Sequence, residues 1–321
     1  MAFLTIVMLC LALYIALWTM VTQPTFAIGS RPSPPVDATR LEGHVRMLSE
    51  TLVPRDAAHP QRMERAAAYI QQELEIAGAQ VARQRFEADG NTYSNVVATL
   101  GTDTADCIVI GAHYDAAGPH PAADDNASGV AGLIELARLL QDAPLERRVL
   151  LVAYALEEPP FFRTPLMGSA VHAASLRKNG MSVCLMLSLE MIGYYTDKPG
   201  SQRFPVKILR WWYPDAGNFI AVVGRFGGGD SVRRIKRAMR SGSALPVYSI
   251  NGPEAVPGID FSDHRNYWSA GYPAAMITDT SFYRNDRYHT AADTADSLDY
   301  RRMAMVVQGV YTLVTAEAKT S

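Results

Sequence analysis

Two histidines and four carboxylates stand in short motifs whose residue types suit metal chemistry. They are His113 in AHYD, Asp125 in AADDNASG, Glu157 and Glu158 in ALEE, Glu190 in LEMIGYY and His289 in YHTAADT. Imidazole nitrogen and carboxylate oxygen are the ordinary zinc donors outside thiolate sites. Each motif alone also has a plainer explanation. A lone histidine is more often structural, Asp124-Asp125-Asn126 would serve as a helix cap, and His289 would be a surface residue. The pair Glu157-Glu158 would be a solvated turn, but the apolar PPFF that follows argues against that. Adjacent carboxylates can divide the work, one holding metal and the other moving protons. Asp115 lies two residues beyond His113, so in an extended stretch both side chains point the same way and the carboxylate can orient the ring. Glu190 directly follows the apolar MLSL, and a carboxylate there is costly to bury unless it is paired or bound to a cation.

The elements that must position these residues can be read from periodicity. Short apolar runs at 107–112, 148–155 and 183–189 have the character of buried parallel strands. Alternating patterns at 80–86 and 93–100 predict two more, and 218–223 and 274–278 complete the set, with 274–278 as the last. Helical spacing covers 40–52, 60–77, 126–140, 168–179, 231–239 and 300–316. Strands alternating with helices predict an α/β fold, a three-layer sandwich around a central, mostly parallel mixed sheet. In such sheets ligands bind beyond the carboxyl ends of the strands. His113, Glu157-Glu158 and Glu190 each follow an apolar run, so three strands would deliver four donors to one edge.

The motifs AHYD, AADDNASG, ALEE, LEMIGYY, FSDH, AGYPAAM and YHTAADT, in this order, resemble the co-catalytic zinc aminopeptidases related to bacterial leucyl aminopeptidase. The resemblance covers roughly residues 40 to 316. It implies two Zn2+ ions per chain, or one in the variant discussed below. His113 and Glu190 would hold one zinc, Glu158 and His289 the other, and Asp125 would bridge them. Glu157 would be the general base and Asp125-Asn126 a cis peptide; Asp115, orienting His113, is the second candidate catalytic residue. The implied substrate is a peptide with a free N-terminus. The chain departs from the family at Glu190, where Asp is common, and at PPFFRTPLMGS, a longer apolar insertion expected to reshape the pocket. Glutaminyl cyclases share the fold and use a single zinc. They tend to carry Trp before the last histidine, where this chain has Tyr288. A non-catalytic binding domain on the same fold is a third reading, and such relatives usually lose ligands that this chain keeps.

Composition sets the remaining bounds. With 48% apolar and 19% charged residues the chain reads as globular, and a net charge of −2 without basic runs gives no face for nucleic acid. Cys10, Cys107 and Cys184 form no CxxC pair, which argues against a thiolate cluster. Residues 2–21 carry no charge and would span roughly 30 Å as a helix, the thickness of a bilayer core. The segment 1–22 is therefore expected to be a membrane anchor or a signal, 23–38 a Pro/Ser-rich linker, and 39–321 the zinc peptidase domain. Arg31 and Arg40 follow the segment and give a weak vote for a cytoplasmic domain. The family resemblance implies instead a single-pass anchored domain outside the cytoplasm, or a secreted one if the segment is cleaved. Trp211-Trp212-Tyr213 could line a substrate or membrane face but reads first as core or loop packing, and Arg233, Arg234, Lys236, Arg237 and Arg240 read as a solvated basic helix face. Asp263-His264 would support the site.

Overall fold

The computed structural model describes residues 2–26, 29, 31 and 33–319. Eight strands form one sheet: β1 (Gln80–Ala88), β2 (Asn91–Leu100), β3 (Asp106–His113), β4 (Arg148–Tyr154), β5 (Ser182–Glu190), β6 (Ile220–Arg225), β7 (Val247–Gly252) and β8 (Ala274–Thr278). Their order is β1-β2-β4-β3-β5-β8-β6-β7. The central strands β4, β3, β5 and β8 run parallel, as do β6 and β7. The pairs β1–β2, β2–β4 and β6–β8 are antiparallel.

Both faces of the sheet are covered. The helices are α1 (Ala2–Thr22), α2 (Ala38–Arg46), α3 (Pro60–Ile76), α4 (Gly129–Leu140), α5 (Gly168–Lys178), α6 (Gly229–Gly242), α7 (His264–Ser269) and α8 (Tyr300–Glu317). Ile108 and Ile110 of β3 enter one core with Leu133, Leu151 and Val307. Their neighbours Cys107 and Val109 enter the other with Val152, Ala173 and Tyr267. Successive side chains of a strand point to opposite faces. A strand buried on both sides therefore reads as a continuous apolar run, which is why β3, β4 and β5 were legible in the sequence.

Three expectations need correction. The helix expected from Asn126 begins at Gly129. Residues 123–128 form an irregular turn in which Asp125 and Asn126 leave helical geometry (φ −104°, ψ 85° and φ −136°, ψ 41°). Asn126 caps the helix from outside, its Oδ1 accepting from Gly129 N at 3.1 Å and Met191 N at 3.1 Å. A further strand, β7, lies outside the strands expected from periodicity and forms the sheet edge next to β6. The basic face of α6 is not uniformly solvated. Arg233 pairs with Asp230 and Arg234 with Glu317, but Lys236 is buried.

Lys236 fixes the end of α1. Its Nζ donates to Thr22 O at 2.9 Å, Gln23 O at 3.2 Å and Ser249 Oγ at 3.2 Å. A cation on the last carbonyls of a helix satisfies both their hydrogen bonding and the helix dipole. Arg31 N donates to Ser241 O and Ser33 Oγ to Gly242 O, so the described residues after α1 lie along α6. From Phe3 to Thr22, α1 is long and apolar enough to cross a membrane, and its apolar side chains are exposed from Phe3 to Leu17.

Candidate metal centre

The parallel strands bring the expected residues to one edge. His113 is the last residue of β3 and Glu190 the last of β5. Glu157 and Glu158 follow the end of β4, Asp125 lies in the turn before α4, and His289 in the loop between β8 and α8. All but His289 are buried, and His289 is half-buried.

Asp125 stands between the two histidines. Its Oδ1 is 3.3 Å from His113 Nε2, and its Oδ2 is 3.1 Å from His289 Nε2. Glu190 Oε2 lies 3.4 Å from His113 Nε2, and Glu158 Oε1 lies 3.2 Å from His289 Nε2. Two donor triads result, His113–Asp125–Glu190 and Asp125–Glu158–His289, with Asp125 common to both. Glu157 adjoins His113 and Glu158 in a third grouping. The Asp125-Asn126 peptide is cis.

The backbone bends sharply at these residues. Leu156, immediately before Glu157, has φ 62°; Met191, immediately after Glu190, has φ 50°; His289 itself has φ 57°. Left-handed geometry costs a non-glycine residue of order 1–3 kcal/mol and persists only where surrounding structure imposes it. That three such residues adjoin or supply the donors shows the backbone being bent to aim them.

The supporting shell was only partly foreseen. Asp115 does more for the carboxylate pair than for the histidine. Its Oδ1 accepts from Glu157 N at 3.1 Å and its Oδ2 from Glu158 N at 3.0 Å, while His113 Nδ1 meets the Asp115 carbonyl at 3.2 Å. Asp293 holds the turn beneath Asp125 by accepting from Asp124 N at 2.9 Å and Asp125 N at 3.1 Å. Ser262 donates to Glu190 Oε2 at 2.7 Å. Arg55, absent from the sequence reading, is completely buried and donates to four carbonyls: Tyr114 at 3.0 Å, Leu48 at 2.7 Å, Pro121 at 2.7 Å and Ala122 at 2.6 Å. An arginine among small residues carries no local signal, because its partners lie up to 67 positions away. Asp263 and His264 are buried. His264 Nε2 meets the Ile259 carbonyl at 2.8 Å, and neither Asp263 oxygen has a hydrogen-bond partner among the described residues.

The electrostatics favour a cation. Burial, joined by neighbouring carboxylates, pushes Glu157 well above the usual carboxylate range and Glu158 up to about 8. Burial also raises Glu190. Burial opposes charge on both histidines, but the carboxylates outweigh it, Glu190 foremost at His113 and Asp125 at His289, which rises to about 10. Asp125 is held low because the two histidines overcome its burial. Among the described residues, His113 Nε2, His289 Nε2 and Glu158 Oε1 have no hydrogen-bond partner. Buried polar atoms are normally satisfied. Orphaned imidazole nitrogens facing mutually repelling carboxylates fit a divalent metal, which would satisfy the former and neutralise the latter.

Beside the donors opens an apolar cavity of about 180 Å³. Phe162, Phe261, Phe282, Tyr283 and Tyr288 form part of its wall. Of the apolar insertion, Phe161 turns into the core and Phe162 toward the cavity. Arg163 lies over the Phe162 and Phe261 rings and pairs with Asp260 at 2.7 Å.

Residues 95–314 match the profile described as peptidase family M28. The uncharacterised protein YfbL of Escherichia coli K12 is 51% identical over 297 residues, covering 89% of this chain and 91% of that protein. Leucine aminopeptidase 1 of Coccidioides posadasii is 28% identical over 254 residues, covering 73% of this chain and 59% of the relative's length. In fold, the chain is similar to a glutaminyl cyclase of Bacteroides thetaiotaomicron, with a TM-score of 0.68 at 19% identity, over 88% of this chain and 99% of that one.

Proposed function

The chain belongs to peptidase family M28, and from that premise we propose that it is a zinc-dependent exopeptidase removing N-terminal residues from peptides. The observation that carries the reading is Asp125, whose two oxygens lie 3.3 Å and 3.1 Å from one histidine each. This is the arrangement of a bridging carboxylate. His113 and Glu190 would hold one zinc, Glu158 and His289 the second. When bound, zinc supplies Lewis acidity toward the peptide carbonyl and lowers the pKa of water.

The chain's own residues do the rest. Glu157 takes the proton from the attacking water and returns it to the leaving amine. Asp115 positions Glu157 and Glu158 together by accepting both of their backbone N–H groups. The aromatic cavity receives the side chain of the N-terminal residue and excludes water from it. The apolar α1 serves as a single-pass anchor, with the catalytic domain outside the cytoplasm, or as a signal whose cleavage releases it.

A peptide-library digest by the purified full chain, with and without zinc, tests the proposal. Zinc-dependent shortening from the amino end supports it. Internal cleavage would contradict it, and ring closure of N-terminal glutamine without hydrolysis would favour the cyclase reading that the shared fold allows.

A further inference from the structure

The segment 204–213, sequence FPVKILRWWY, presents a face that the peptidase site does not use. Val206 is 48% exposed, Ile208 38% and Trp211 78%. Residues Lys207–Trp211 form one short 3₁₀ turn. Such a turn has three residues per repeat, so positions three apart align. Ile208 and Trp211 therefore share one side, and Lys207 and Arg210 the next. Leu209 turns inward to the cavity wall together with Phe204, Pro205 and Tyr213. Among the described residues the side chains of Lys207, Arg210 and Trp211 make no hydrogen bond or ion pair, the turn's own bonds being main-chain.

The position of this segment decides what it meets. Trp212 Nε1 donates to Tyr14 Oη at 2.9 Å, and the two rings meet edge to face with centroids 6.0 Å apart. Tyr14 lies eight residues before Thr22, where Lys236 and Ser249 fasten the end of α1. At 1.5 Å per residue the segment stands about 12 Å back along the helix from that end. Leu11, Leu13, Ile15 and Leu17 are exposed on α1 at this level. Trp212 thus holds the segment beside exposed apolar residues of α1.

We propose that residues 206–211 are an interfacial insertion element that enters the bilayer beside α1, with Ile208 and Trp211 among the acyl chains and Lys207 and Arg210 on anionic headgroups. This rests on α1 being a membrane span, and is independent of the peptidase reading. Lipid is favoured over a second copy of the chain by three features. The segment touches the apolar α1 through Trp212 and Tyr14, tryptophan is enriched at membrane interfaces, and long basic side chains flanking an apolar face reach out to phosphate. The element is also part of the cavity wall, so the cavity would lie close to the membrane surface.

The test uses the full chain in vesicles of phosphatidylcholine and phosphatidylglycerol. The fluorophore NBD is attached in turn to Cys10, to Val206→Cys and to Asn91→Cys, the last two with Cys10→Ser and all three with Cys184→Ser, which removes the other accessible thiol. Asn91 lies in the β1–β2 hairpin at the opposite sheet edge from β7. Nitroxide on the lipid acyl chains is expected to quench the labels at 10 and 206 alike and to leave the label at 91 bright. Quenching at 10 without quenching at 206 overturns the proposal, whether water or a second copy covers the segment. Absence of quenching at 10 removes the span and the proposal with it.

Discussion

Arg55→Met is expected to be among the most damaging single changes outside the donors themselves. The guanidinium gives four hydrogen bonds to main-chain carbonyls and is fully buried. Hydrogen bonds to a charged group contribute roughly 1.5–3 kcal/mol each, so four amount to about 6–12 kcal/mol. Burial works against this, drawing the Arg55 pKa from 12.5 down to about 10. That drop corresponds to roughly 3 kcal/mol returned when the charge is removed. The net loss is therefore about 3–9 kcal/mol, against a typical total stability of about 5–15 kcal/mol. Two of the carbonyls, Pro121 and Ala122, lead directly into the turn that carries Asp125, and the Tyr114 carbonyl lies between His113 and Asp115. The loss should therefore reach the metal centre. Thermal unfolding followed by circular dichroism, with zinc affinity measured on the same samples, reads both effects. Arg55→Lys, which keeps the charge but not the fork, should fall between wild type and Arg55→Met. A melting point and zinc affinity for Arg55→Met indistinguishable from wild type would refute the reasoning.

Glu157→Gln should lower kcat by roughly 10²–10⁴, the usual worth of a general base, while elemental analysis shows zinc unchanged. Full activity with full metal would remove Glu157 from the mechanism. His172 is buried and bonded to Tyr267 Oη at 2.6 Å, and burial lowers its pKa to about 4. The unfolded chain takes up a proton near pH 6.5 that the folded chain refuses until about pH 4, so this group's contribution falls as the solution is acidified through that window. The stability gap between wild type and His172→Asn should shrink by about 2 kcal/mol between pH 7 and pH 5. Urea titrations at the two pH values that give a constant gap would argue against a neutral buried ring.

Much of the site was legible because local signals coincide there. A doubly buried strand is a continuous apolar run, and a titratable residue at its end is conspicuous. His113, Glu157, Glu158 and Glu190 were found in this way. His289 and Asp125 depended on motif order, since a polar loop and a helix-cap pattern look ordinary alone. What escaped was set by distant partners. Arg55 owes its burial to carbonyls of the turn after β3. Lys236 has the helical spacing of a solvated face, but the end of α1 covers it. β7 was overlooked because VYSING runs directly into proline and reads as a loop, whereas pairing with β6 makes it an edge strand. For Trp211 and Trp212 packing is the first reading of the sequence and a substrate or membrane face the second. Trp211 is instead exposed, and Trp212 is turned to α1.

The count of zinc ions tests the central claim most directly. The full chain, equilibrated with zinc and freed of excess metal, should carry two zincs by elemental analysis, and Asp125→Asn should carry one or none. Wild-type protein that retains no zinc, or an Asp125→Asn variant that retains as much as wild type, would contradict a metal pair bridged at Asp125.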